Sequence, residues 1–131
     1  MGKDDTQVYV GLDVGSTTVK AVVTDCDDTI LWKDYRRHNA RQPQTVLNFM
    51  TEIESRFPVD TLKVFITGSG GRGLAPLLHA RYIQEVNAVT YAVEKLHPDT
   101  GSVVELGGQD AKIIIWKEDE LGRKSTITSM N

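Results

Sequence analysis

"VYVGLDVGSTTVKAVV", residues 8–23, decides how this chain folds. Each half is rich in β-branched residues and alternates in polarity, so each reads as a strand. Between them one carboxylate, one glycine and three hydroxyls crowd into six positions: Asp13, Gly15, Ser16, Thr17 and Thr18. Two strands joined by so short a polar turn make a hairpin. Working outward, "DCDD" (25–28) reads as a further turn and "TILWKDYRR" (29–37) as a third strand. The result is an antiparallel meander.

The period then changes. "PQTVLNFMTEIESRF" (43–57) sets Val46, Phe49, Met50, Ile53 and Phe57 at spacings of three and four, which predicts an amphipathic helix. Pro43 suits its first turn and Pro58 ends it. "LKVFITG" (62–68) reads as a buried strand and "GSGGRG" (68–73) as a loop. "LAPLLHAR" (74–81) reads as a short helix and "YIQEV" (82–86) as a short strand. "NAVTYAVEKLH" (87–97) reads as a helix with Asn87 as N-cap. "SVVELGGQDAKIIIW" (102–116) then repeats the opening pattern of strand, acidic and glycine-rich turn, strand. "KEDELGRK" is a polar turn and "STITSMN" starts another strand. Helices mixed with a meander and parallel strands give an α/β fold. The expected division is one lobe over residues 1–98 and the start of a second, similar lobe over 99–131.

Composition narrows the function classes. The 131 residues carry a formal net charge of -3, with 40% apolar and 25% charged side chains. That is ordinary for a soluble globular protein and gives no reason to expect nucleic acid or an anionic membrane as partner. "MGKDDTQ" (1–7) is polar and acidic and does not read as a signal peptide. The single cysteine, Cys26, cannot form an intrachain disulfide. A chain without a disulfide framework suits a reducing, cytoplasmic setting.

The two acidic, glycine-containing turns carry the chemistry. A phosphate chain needs backbone N–H donors that can come close, and glycine allows this. Hydroxyls at Ser16, Thr17 and Thr18 add donors. Magnesium bound to phosphates keeps several waters and takes one or two carboxylates. Asp13 and Glu105 are the candidates to hold those waters from two sides. One such turn is common; the pair, in equivalent places of two similar units, points to a nucleotide phosphate and its metal. Among the remaining candidates, Gln109 either positions an attacking water or faces solvent. Lys20 and Lys112 read as outward-facing strand residues. Arg72 reads as exposed, Glu85 as a cleft or capping residue. His38, His79 and His97 lack metal spacing. Trp32 and Trp116 read as packing residues.

"GLDVGSTTVKAVV" resembles the first phosphate motif of the actin, sugar-kinase and heat-shock-chaperone ATPase superfamily. "VVELGGQDAKIII" resembles the second phosphate motif of one branch. That branch comprises the activators of 2-hydroxyacyl-CoA dehydratases and the ATPase subunits of benzoyl-CoA reductase. "ITGSGGRGLAPLL" and "IQEVNAVTYAV" look like its linking segments. The resemblance implies a ribonuclease-H-like, actin-like ATPase lobe with a mixed sheet, plus the first hairpin of a second such lobe. It implies ATP and magnesium as ligands, with Gly11, Asp13, Gly15, Ser16, Thr17 and Thr18 in the first motif. Glu105, Gly107, Gly108, Gln109 and Asp110 fall in the second, where many relatives begin with Asp rather than Glu. Asp13, Glu105 and Gln109 are then the catalytic candidates, with Asp13 and Glu105 on magnesium through water.

The same resemblance implies an ATPase that drives electrons to a CoA-thioester dehydratase or reductase. The intact protein would be a homodimer holding a 4Fe-4S cluster on cysteines that this chain lacks. The adenosine-binding segment is also expected beyond residue 131, so the chain reads as the N-terminal piece of a longer protein. Two other functions fit parts of the pattern: a carbohydrate or small-acid kinase of the same superfamily, and a non-catalytic docking module. An exposed apolar face near residues 113–116, with self-association at high concentration, is expected of the unfinished second lobe.

Overall fold

The structure, a computed structural model, describes residues 5–107 and 110–130. Contacts divide the chain into two compact units, Met1–Ile83 and Gln84–Asn131. Among the described residues of the first unit, strands β1 (Val8–Val14), β2 (Thr18–Thr24), β3 (Ile30–Arg37), β4 (Leu62–Thr67) and β5 (Arg81–Tyr82) form one sheet, in the order β3-β2-β1-β4-β5. The meander β1–β3 is antiparallel, and β4 runs parallel to β1 and β5 parallel to β4. The sheet is therefore mixed, as the sequence predicts.

Period-two burial explains why these segments are strands. Val10, Leu12 and Val14 of β1 and Val19, Ala21 and Val23 of β2 all face inward. Helix α1 (Gln42–Arg56) lays Val46, Phe49, Met50 and Ile53 into the same core, at the spacing read from the sequence. Trp32 meets the Phe49 ring edge-on at 6.0 Å, and Arg36 stacks over the ring's face at 4.3 Å while bonding Asp34 and Glu52. Trp32 is thus a packing residue.

Three boundaries differ from the sequence reading. The expected loop at 68–73 ends early, because α2 (Gly71–Leu74) begins inside it and is followed by a 3-10 turn at Pro76–Leu78. Gly71 is buried there; a Cβ would lie 3.1 Å from Ile66 Cγ1, so any larger residue would need the Ile66 side chain to give by a few tenths of an ångström. The expected strand at 82–86 is reduced to Arg81–Tyr82, since Glu85 already opens α3 (Glu85–Leu96). Gln84, not Asn87, is the N-cap, and it makes no side-chain cap bond. A cap without a side-chain bond leaves no signature in the sequence.

In the second unit, β6 (Ser102–Leu106), β7 (Ala111–Glu118) and β8 (Lys124–Met130) form an antiparallel sheet with β7 central, and α3 packs on β7. Ile114 is fully buried, whereas Ile113 and Ile115 on the other face remain 42% and 40% exposed. The apolar face expected near residues 113–116 is therefore present, apart from Trp116. That residue lies on the opposite face, where its indole N–H donates to Glu94 of α3 at 2.9 Å. Among the described residues no helix is long and apolar enough to cross a membrane.

Candidate functional site: two acidic hairpin tips

Strands β1 and β4 are parallel neighbours and end side by side, with Asp13 opposite Thr67. The chain leaves β1 toward β2 and leaves β4 toward β5, in opposite directions along the sheet. Crevices for ligands in α/β sheets open at such carboxyl ends. The first hairpin tip stands there. The Gly15 N–H donates to the Thr18 carbonyl at 2.9 Å, leaving Ser16 and Thr17 exposed at the apex. Asp13, Gly15, Ser16, Thr17 and Thr18 are thus brought together as the sequence predicts. Gly11 sits further back within β1, where a Cβ would meet Val22 Cγ1 at 3.3 Å. Lys20, the cross-strand neighbour of Asp13, is exposed.

The segment after β4 forms part of the same site. Gly68 has φ +94, and a Cβ on it would lie 2.3 Å from the Val14 carbonyl oxygen and 2.8 Å from Asp13 Oδ1. The Gly70 N–H donates to that same Val14 carbonyl at 2.9 Å. The glycine-rich loop therefore lies against the root of the hairpin tip. Arg72, just beyond it, is exposed but lies over the Tyr82 ring at 4.7 Å. The hydroxyl of Thr67 is buried and has no hydrogen-bond partner among the described residues. A buried, unsatisfied polar atom calls for a ligand or water. The oxygen donors here, Asp13 carboxylate and Thr67 hydroxyl, are hard and fit a hydrated magnesium ion.

Two residues behind the tip were not among the site residues read from the sequence, where His38 is only a histidine without metal spacing. His38 is 6% exposed, and its Nε2 lies 3.0 Å from the Gly15 carbonyl. Gln42 Nε2 donates to the same carbonyl at 2.8 Å. An isolated histidine and a glutamine at a helix start carry no motif, so only the folded geometry reveals them. His79 and His97 are exposed.

The second tip belongs to the other unit. The Gly107 N–H donates to the Asp110 carbonyl at 2.8 Å, and the Asp110 carboxylate folds over Gly107, whose Cβ position it would approach to 2.6 Å. Gly108 and Gln109 lie outside the described residues. Glu105 pairs across the ladder with Lys112, and its Oε2 is buried with no hydrogen-bond partner among the described residues. Lys112 is not the outward-facing residue expected: it is 2% exposed, with Nζ 3.3 Å from Glu85 and 3.5 Å from Asp110. Alternation along β7 sets Lys112 on the same face as Ile114, and α3 covers that face.

Burial pulls the Lys112 ammonium toward deprotonation. The hydrogen bond to Glu85, with the charges of Glu105, Glu85 and Asp110, outweighs this and raises its pKa. A raised cationic pKa stabilises the fold fully below the unfolded value, about 10.4, and that contribution fades as pH climbs through the folded one. Lys112→Met should therefore cost about 2 kcal/mol, less than a fully buried pair because Glu85 and Asp110 keep some solvent. Urea unfolding should find this loss constant from pH 6 to 9; a cost that grew or vanished inside that window would contradict the assignment.

No protein-family model matches the chain. Among solved structures, component A of (R)-2-hydroxyglutaryl-CoA dehydratase from Acidaminococcus fermentans superimposes with a TM-score of 0.75 and 22% identity. The match covers 95% of this chain and 47% of that one. The activator of 2-hydroxyisocaproyl-CoA dehydratase from Clostridium difficile, with bound ADPNP, gives a TM-score of 0.65 and 24% identity, covering 94% and 46%. The fold is that of the actin-like ATPases. The chain is a homologue of the 2-hydroxyisocaproyl-CoA dehydratase activator of Clostridioides difficile, 28% identical over 116 residues, covering 87% of this chain and 42% of the relative. It spans about half the length of the curated relatives it matches.

Proposed function

We propose that the chain is the N-terminal, phosphate-binding part of an ATP-hydrolysing activase that drives electron transfer to a CoA-thioester dehydratase or reductase. One observation carries the reading: in a homologue of a dehydratase activator, a carboxylate, a hydroxyl-bearing hairpin tip and a glycine loop meet at the ends of two parallel strands. The nucleotide analogue bound by the structurally similar activator supports ATP as ligand. In this reading the N–H and OH groups of Ser16, Thr17 and Thr18 hold phosphate oxygens. Gly11 and Gly15 give the backbone room, and Gly107, Gly108 and Asp110 act likewise in the second motif. Asp13 and Glu105 hold magnesium through water, and Gln109 orients the attacking water.

Magnesium, when bound, offsets the charge of the phosphates. A 4Fe-4S cluster does not fit this chain, which has one cysteine where such a cluster takes four thiolates. Its ligands, the adenosine site and the homodimer contact are assigned to the rest of the intact protein, acting in the cytoplasm. Calorimetric titration of the full-length protein with ATP and magnesium tests the nucleotide part. Saturable binding that needs the metal and is displaced by ADP is expected; no binding at millimolar ATP overturns the reading.

A further inference from the structure

We propose that His38 and Gln42 are positioning residues that aim the first hairpin tip at phosphate by gripping the Gly15 carbonyl from behind. This rests on the reading of that tip as a phosphate site. A carbonyl oxygen offers two lone pairs, and here both have donors: His38 Nε2 at 3.0 Å and Gln42 Nε2 at 2.8 Å. The peptide between Gly15 and Ser16 is trans, so its C=O and N–H point in opposite directions. Holding the carbonyl inward holds the Ser16 N–H outward. Among the described residues, the Ser16 and Thr17 N–H groups have no partner. The His38 N–H adds a third tie, donating to the Thr17 carbonyl at 3.2 Å.

The histidine is itself fixed. The Ala40 N–H donates to His38 Nδ1 at 3.1 Å, so Nδ1 is the acceptor and Nε2 carries the proton that Gly15 accepts. That contact requires the chain to turn at Asn39 and Ala40, both left-handed, with φ 49 and 61. Alanine adopts this conformation only under constraint from its surroundings. Gln42, the first residue of α1, reaches the tip instead of capping its helix, whose start has no side-chain cap bond. Its Oε1 also stands 2.8 Å from the Cβ position of Gly70, so the glutamine lies between the hairpin tip and the glycine loop.

The test uses the full-length protein and magnesium–ATP. His38→Leu should weaken affinity about tenfold and Gln42→Leu about fivefold, as expected for losing one hydrogen bond to the half-buried Gly15. His38→Gln keeps a donor at similar reach and should stay within about threefold of wild type. If His38→Leu does not fold, Gln42→Leu carries the test. Nitrogen-15 spectra should show the Nε2–H tautomer at His38, and a Ser16 amide that shifts on ATP addition in wild type but not in Gln42→Leu. Folded Gln42→Leu with wild-type affinity and a Ser16 amide that still responds, together with the Nδ1–H tautomer at His38, would overturn the positioning role. Wild-type protein that binds no ATP removes the phosphate reading instead, and this inference with it.

Discussion

Gly68→Ala should be the most damaging single substitution in the first unit, lowering stability by roughly 4 kcal/mol. Two penalties combine. The residue has φ +94, where an L side chain is strained, and the new Cβ would stand 2.3 Å from the Val14 carbonyl oxygen. That atom belongs to the backbone of a central strand and cannot step aside as a flexible side chain would. Gly70→Ala makes the natural comparison. Its Cβ would meet Gln42 Oε1 and Val14 Cγ1, both at 2.8 Å, which are side-chain atoms able to shift. It should cost about 1–2 kcal/mol. Urea midpoints of the two variants decide the matter: equal losses would show that the Val14 backbone yields after all.

The second large effect concerns Asp13 and leaves the fold standing. In the full-length protein Asp13→Asn should reduce magnesium-dependent ATP hydrolysis by at least about 100-fold, the scale seen when a preorganised charge is removed from a reacting site. The side chain sits at the end of β1 rather than in the core, so the unfolding free energy should change by less than about 0.5 kcal/mol. The contrast with Gly68→Ala is informative, because the new Cβ in that variant would also approach Asp13 Oδ1 to 2.8 Å. Gly68→Ala should lose both stability and turnover, and Asp13→Asn turnover only. Normal hydrolysis by Asp13→Asn would remove the metal role assigned to it.

The parts of this molecule legible in its sequence are those where one periodicity runs unopposed. The alternation through Val10, Leu12 and Val14, and the three-and-four spacing from Val46 to Ile53, each match a buried face. The fold class and the grouping of Asp13 with Ser16, Thr17 and Thr18 follow from that. Between residues 68 and 87 the pattern is too short to arbitrate, and helices begin without side-chain caps, so boundaries shift by several residues. Lys112 misleads for a different reason. Its charge argues for solvent, while its place in the alternation beside Ile114 argues for the interior, and three carboxylates tip the balance inward. His38 and Gln42 make their contacts with Gly15, remote in the chain, and strand pairing alone sets Thr67 beside Asp13, so no local pattern encodes them.

The pairing of β1 with both an early and a late strand has a bearing on how the molecule is born. The meander of β1, β2 and β3 needs only short-range closure. The tie from the Gln7 side chain to the Thr61 carbonyl, at the edge of the β1–β4 ladder, spans 54 positions. Loop-closure entropy delays such remote pairing until the intervening helix has condensed. A nascent chain would thus display a bare hairpin first, and acquire the glycine wall behind Val14 only as β4 docks.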